Sequence, residues 1–324
     1  MDLDFDFTEK DKKITITGYR DDPSKVVIPS EINGIPVVYI GSDIFRKTPM
    51  VLEVTIPDGV TSIEENAFKS PYLTHIRVDS RNTAYKDIDG VLFSKDGKLI
   101  KYMARRNATE YSIPSGTTSI GNNAFYECKS LTKIKIPKGV TDIGVDAFRR
   151  CANLTKIEFP ANEISIGVQA FRECGRLADI EFLASVPSIG VQAFCGCSNL
   201  TDIEFLASVS IGVQAFYNCS NLKEIKFNAG ASNIGEQAFY NCNNLKEIKI
   251  PEGVTSIEQN AFCNCNNLTS VQIPCSVTHI KNRAFYCCGA IKRVHYNGSK
   301  KEWYNIEIGD DNLDLLKVQR TYGR

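Results

Sequence analysis

The chain has 324 residues, with 38 Lys+Arg against 38 Asp+Glu and 43% hydrophobic residues. A formal net charge of zero argues against a polybasic nucleic-acid coat or membrane-surface binder, and the hydrophobic content excludes a wholly disordered chain. No apolar run approaches the roughly 18–20 residues that span a bilayer, so membrane insertion is not expected.

The start, Met1 to Phe7, is acidic and lacks the basic and apolar regions of a signal peptide. This fits either a cytoplasmic chain or one that begins after a removed leader. Residues 13–17 and 26–29 alternate apolar and polar side chains and read as strands of an N-terminal β cap over residues 1–39. From residue 40 a repeat governs the sequence. Phenylalanines recur at 45, 68, 125, 148, 171, 194, 216, 239, 262 and 285, spaced by 23 residues except for one gap of 57 and one of 22. The residue five before each marker is isoleucine, from Ile40 to Ile280. The residue just before it is alanine in every unit but the first, which has Ile44. Three after the marker stand Thr48, Pro71 and then eight cysteines: Cys128, Cys151, Cys174, Cys197, Cys219, Cys242, Cys265 and Cys288. The short unit lacks a counterpart of Pro187.

A 23-residue unit cannot bury its own apolar face, but stacked units can, because like columns then lie over one another. In the unit from Leu131 to Cys151, Ile134 and Ile136 alternate with lysines as a short strand and Pro137 ends it. Residues 140–143 read as a second strand. Ala147, Phe148 and Cys151 have the spacing of one helical turn. The long gap contains Asp89-Gly90 and Asp96-Gly97 between apolar segments, which predicts a hairpin insertion over about residues 79–112. Ten coils over residues 40–296 are then followed by a closing C-terminal cap over residues 297–324, with Trp303 packed on the last coil.

The pattern Leu-x-x-Ile-x-Ile-Pro-x-x-Val-Thr-x-Ile-Gly-x-x-Ala-Phe-x-x-Cys resembles the BspA-like (treponemal-type) leucine-rich repeat, over roughly residues 36–296. The middle units depart from it: Phe159, Phe182, Phe205 and Phe227 replace the second strand isoleucine, and Glu163, Ser208 and Ala231 occupy the valine column. The resemblance implies a right-handed leucine-rich repeat solenoid of short parallel β-strands with one short helical turn per coil. It also implies a secreted or surface-attached protein of adhesion type. The function expected is noncatalytic binding of a protein or other macromolecule by a monomer. An intracellular scaffold of the same fold is an alternative, and a glycan-acting enzyme a more distant one.

The binding face is expected on the outward positions of the first strands. Coil by coil these are Lys133 and Lys135, Lys156 and Glu158, Asp179 and Glu181, Asp202 and Glu204, Glu224 and Lys226, and Glu247 and Lys249. Five carboxylates in the centre, from Glu158 to Glu204, stand nearly free of cations, with lysines on both sides. Like charges on adjacent strands are mildly unfavourable unless a cation or basic partner meets them. The near-identical segments 179–185 and 202–208 also fit a simple duplication of solvated coils.

No catalytic group is recognisable. The histidines at 75, 279 and 295 fall in separate coils or on separate faces, and no phosphate-binding glycine loop or His-Glu-x-x-His run occurs. Eight cysteines share one column and read as a reduced core ladder, since stacked side chains point the same way. Cys263, Cys265, Cys287 and Cys288 lie in neighbouring coils but lack the spacing of a zinc site. Neither a metal nor another cofactor is expected, and nucleic acid is not the expected partner.

Overall fold

The structure is a computed structural model that describes residues 4–45, 47–70 and 72–323. The chain winds as a β-solenoid in which successive coils contribute one strand to each of two parallel ladders. On the first ladder Lys133–Lys135 pairs with Lys156–Glu158, which pairs with Asp179–Glu181. On the second, Ser119–Ile120, Asp142–Ile143, Ser165–Ile166 and Ser188–Ile189 run side by side. The register joins like columns, as Ile134 to Ile157 to Ile180 and Ile120 to Ile143 to Ile166. A strand of two or three residues has little stability of its own. Lateral repetition and the shared core sustain it.

Every marker phenylalanine from Phe125 to Phe285 is fully buried. Their rings form a parallel stack: Phe125–Phe148 centroids are 4.7 Å apart at 11°, and Phe216–Phe239 5.3 Å apart at 1°. Burying each ring stabilises by about 1.5–3 kcal/mol, and each aromatic contact adds about 0.5–1.5 kcal/mol.

The segment expected as a helical turn is a ribbon of β-turns, with no α-helix among the described residues of the repeats. Its amides alternate in direction. Ala147, Arg149 and Cys151 donate back to Gly144, Asp146 and Phe148 of their own coil, at 3.1–3.3 Å. Asp146, Phe148 and Arg150 donate forward to Val168, Ala170 and Arg172 of the next coil, at 2.7–3.0 Å. A helix would turn all its amides along one axis, leaving none for the neighbour. The alternation requires left-handed backbone at Asp146 (φ 54°) and Arg150 (φ 61°), repeated in the following coils. Asparagine tolerates this conformation better than most residues. Glutamine is less suited, and Gln169 gains a compensating bond from its Nε2 to Gln192 Oε1 at 2.7 Å.

The cysteine column has a local physical cause. Cys151 Sγ donates to the carbonyl of Phe125 in the preceding coil at 3.1 Å, and Cys174 Sγ to that of Phe148 at 3.0 Å. The Phe148 carbonyl thus receives its own coil's Cys151 amide and the next coil's thiol. A small, weakly polar donor fits a fully enclosed position. All eight column thiols are buried and unpaired. In the first unit Thr48 stands there and its Oγ1 donates to Phe45 O at 3.2 Å. Pro71, assigned to the same column, lies outside the described residues.

The departures in the valine column are absorbed by one-residue shifts. Ile164 and Val209, each next to the polar residue, turn inward and are 1% exposed. Ala231 is itself buried.

At the N-terminal end Phe5–Lys10 and Lys13–Tyr19 form an antiparallel hairpin. Its inner strand continues parallel onto Ile35–Ile40, and Lys25–Val27 lies on Glu53–Ile56. At the other end, the helix Lys300–Trp303 starts with a capping box between Ser299 and Glu302. Glu307–Ile308 and Arg320–Tyr322 then extend the two ladders. The last turn's forward amides meet side chains: Phe285 donates to Asn312 Oδ1 and Cys288 to Asp314 Oδ2, both at 3.0 Å. Trp303 packs edge-on to Tyr296, centroids 5.5 Å apart.

The insertion contains the expected hairpin, Tyr85–Ile88 against Val91–Ser94, turning through left-handed Asp89 and Gly90. It also does more. Lys98–Lys101 joins the second ladder beside Ser119–Ile120, and Glu110–Ser112 joins the first beside Lys133–Lys135. Tyr102 takes the marker's place, its ring 5.1 Å from Phe125. The long gap therefore holds a complete, elaborated coil. The buried side chains form two clusters that meet here, one ending at Met103 and the other starting at Val91.

Candidate binding face

Alternation fixes which side chains leave the core. With Ile134, Ile157, Ile180, Ile203, Ile225 and Ile248 inward, the flanking residues point out. The twelve predicted face residues are all exposed or half-buried. Pairing aligns Lys133, Lys156 and Asp179 in one row and Lys135, Glu158 and Glu181 in the next. Asp202 lies beside Glu224, Glu204 beside Lys226, Glu247 beside Ser270 and Lys249 beside Gln272.

The face is not one uninterrupted sheet. Ladder pairing lapses between Asp179–Glu181 and Asp202–Phe205, and again between Glu224–Phe227 and Glu247–Lys249. Phenylalanine replaces the second strand isoleucine on both sides of the first gap, at Phe182 and Phe205, and on one side of the second, at Phe227. Phe182 and Phe205 are 5.9 Å apart, wider than the marker stack.

A groove of about 720 Å³ lies over the paired strands Lys133–Lys135, Lys156–Glu158 and Asp179–Glu181 and reaches Asp202. Its apolar floor includes Ile157, Phe159 and Pro160, and its walls carry Lys135, Lys156, Glu158, Asp179, Glu181 and Asp202. A smaller hollow of about 310 Å³ continues past Glu204 and Lys226. A further one of about 580 Å³ lies between Glu224, Lys226, Glu247 and Lys249.

The charge pattern differs from the expectation at Glu158 alone among the five central carboxylates. Glu158 is not free: Lys133 Nζ lies 2.8 Å from its Oε1 on a diagonal between coils. This contact lowers the Glu158 pKa and raises that of Lys133. Glu204 accepts a hydrogen bond from Asn228 Nδ2 at 2.7 Å. Glu224 pairs with Lys226 at 3.2 Å. Asp179, Glu181 and Asp202 have no cationic partner within ion-pair distance among the described residues.

Sequence reasoning missed two apolar members. Leu183 is 51% and Leu206 45% exposed, and both line the hollows beside the unpaired acids. Regular coils place proline at this position, as Pro137 and Pro251. The repeated Phe-Leu in place of Ile-Pro was the signal that could have revealed them.

The histidines find local partners. His75 Nδ1 lies 3.0 Å from Thr74 Oγ1, His279 Nε2 3.2 Å from Glu307, and His295 Nδ1 2.8 Å from Thr321 Oγ1. Two of these are threonine–imidazole contacts, and among the described residues no carboxylate lies within ion-pair distance of either ring to orient it as a base. The Glu158 shift is downward, opposite to what a general acid requires. Among the described residues no group of three or more His, Cys, Asp or Glu could hold a metal ion. Among the described residues no helix is long and apolar enough to cross a membrane.

The sequence model of the BspA type leucine rich repeat region matches residues 24–104, 100–210 and 193–306, in six copies. A leucine-rich repeat protein of Eubacterium ventriosum shares 29% identity over 70% of this chain and 62% of its own, with a TM-score of 0.59. A leucine rich cell surface protein of Faecalibacterium prausnitzii shares 24% identity over 95% of this chain and 97% of its own, with a TM-score of 0.45. A leucine-rich repeat protein of Bacteroides ovatus shares 23% over 99% and 98%, with a TM-score of 0.44. A search of curated proteins finds no match.

Proposed function

The chain belongs to the BspA-type leucine-rich repeat family, and from that premise we propose that it is a noncatalytic binding protein acting through the outward face of its first strands. The contact surface runs from Lys133, Lys135, Lys156 and Glu158, through Asp179, Glu181, Asp202 and Glu204, to Glu224, Lys226, Glu247 and Lys249. The observation that carries this reading is the central groove, where unpaired Asp179, Glu181 and Asp202 stand beside exposed Leu183 over an apolar floor. Uncompensated carboxylates next to apolar surface are complementary to a protein segment bearing lysine or arginine together with hydrophobic side chains. A strand face held by lateral pairing is pre-organised, which lowers the entropy cost of docking. Family membership supports secretion or display at a cell surface.

The test compares binding to a partner isolated with the intact chain. Asp179→Lys combined with Asp202→Lys should abolish or strongly weaken it, with a salt dependence in the parent that the variant lacks. Reversal of Arg149 and Arg172, on the turn edge, should leave it unchanged. Undiminished binding by the strand-face variant would refute the assignment.

An intracellular scaffold of the same fold is favoured by one observation: Cys275 and Cys287 are exposed free thiols, better suited to a reducing compartment. Fractionation of the source cells separates the two readings.

A further inference from the structure

The stacking of turns lapses where the elaborated coil meets its predecessor. Phe125 donates its amide to Ala147 of the next coil at 2.7 Å, as later markers do in turn. Tyr102 donates to Ala124 at 2.8 Å. The Phe68 amide has no such acceptor among the described residues. Because Tyr102 takes the marker's place, Lys101 occupies the column that is alanine in the neighbouring coils, at Ala67 and Ala124. Those alanines are fully buried, and Lys101 is itself only 7% exposed. Its Nζ donates to the neutral carbonyl of Asn123 at 2.7 Å. No carboxylate lies within ion-pair distance of it among the described residues.

A cavity of about 440 Å³ lies against Lys101. Its other walls carry three donor residues, Lys69, Ser70 and Tyr126, together with Asp43, Glu127 and Ala104. Lys69 Nζ sits 5.2 Å from the Tyr126 ring centroid. The Tyr126 hydroxyl oxygen accepts from Arg150 at 3.2 Å, which leaves its proton available. Ser70 Oγ accepts from the Tyr72 amide at 3.2 Å and likewise keeps its proton. Of the two carboxylates in the lining, Glu127 is engaged by Arg150 at 3.2 Å, and Asp43 has no side-chain partner among the described residues. The lining thus brings together residues bearing two ammonium groups and two hydroxyls, with one carboxylate unpartnered among the described residues. A buried ammonium with a single neutral acceptor is costly and normally acquires a counter-ion or gives up its proton. Burial lowers the Lys101 pKa accordingly.

We propose that this cavity binds a small oxyanion, a carboxylate or a phosphate, with Lys101 as the buried ligand and Lys69, Ser70 and Tyr126 as further donors. The site is separate from the strand face and stands or falls independently of it. Calorimetric titration of the full chain with sodium phosphate, and separately with sodium acetate, is compared with sodium chloride at matched ionic strength. At least one oxyanion should bind saturably where chloride does not, and the tighter arm identifies the class. Lys101→Met should weaken that binding about tenfold or more. Lys101→Ala restores the column residue, should keep the parent's circular dichroism, and should lose the response equally. Absence of saturable binding of both oxyanions, or unchanged affinity in either folded variant, overturns the proposal.

Discussion

Phe216→Ala probes the interior most sharply. The ring is fully buried, stacked on Phe194 at 5.3 Å and 2° and on Phe239 at 5.3 Å and 1°, with Phe205 edge-on at 6.4 Å. Truncation removes the burial of a whole aromatic ring and leaves a cavity between two rigid neighbours. A loss of about 3–5 kcal/mol follows for a Phe→Ala change in a core that cannot collapse. The two parallel contacts account for about 1–3 kcal/mol of it. In a solenoid each coil contacts only its neighbours, so the damage should be local. Hydrogen exchange should show faster opening in the coils of Phe194, Phe216 and Phe239, with the coils around Phe125 and Phe285 little changed. Denaturant unfolding gives the magnitude. A loss below about 1 kcal/mol, the scale of an ordinary surface substitution, would refute the reasoning.

The buried thiols should resist alkylation at pH 8 in the folded chain, because burial pushes the pKa of column Cys174 up to about 12 and that of off-column Cys263 to about 11. Mass spectrometry should find Cys275 and Cys287 modified first, and equal labelling of all twelve would contradict the buried ladder. Asn312→Ala removes the acceptor of the Phe285 amide and should cost about 1–3 kcal/mol, read as a lower denaturation midpoint, whereas an unchanged midpoint counts against its capping role. The Lys133–Glu158 pair contributes stability above the unfolded pKa of Glu158 and loses it as pH falls through the lowered folded value. Lys133→Met should therefore flatten acid sensitivity in that window, and an unaltered pH profile would deny the pair any effect.

Much of this arrangement was written in the repeat. The spacing of the phenylalanines located the coils, and the isoleucine and cysteine columns fixed which residues stack. The turn was misread because Ala147, Phe148 and Cys151 have helical spacing, yet side-chain period does not reveal that alternate amides serve the next coil. The insertion hid a coil because Tyr102 replaces phenylalanine and Lys101 replaces alanine, erasing both columns that mark the unit. The outward charges were legible from alternation. The Lys133–Glu158 contact was not, since it lies two residues off the repeat. The groove over the paired strands, floored by Ile157, Phe159 and Pro160 and reaching Asp202, is a packing consequence that residue type alone does not state.

Lateral register is the claim on which both the core and the face rest, and a designed metal clip tests it directly. Lys156 and Asp179 are paired neighbours across two coils, whereas Lys156 and Glu181 are offset by two residues. Histidines replacing Lys156 and Asp179 should create a nickel site that raises the melting temperature in a metal-dependent way. Histidines replacing Lys156 and Glu181 should not. A larger rise in the offset pair, or equal rises in both, would contradict the stacked-coil account.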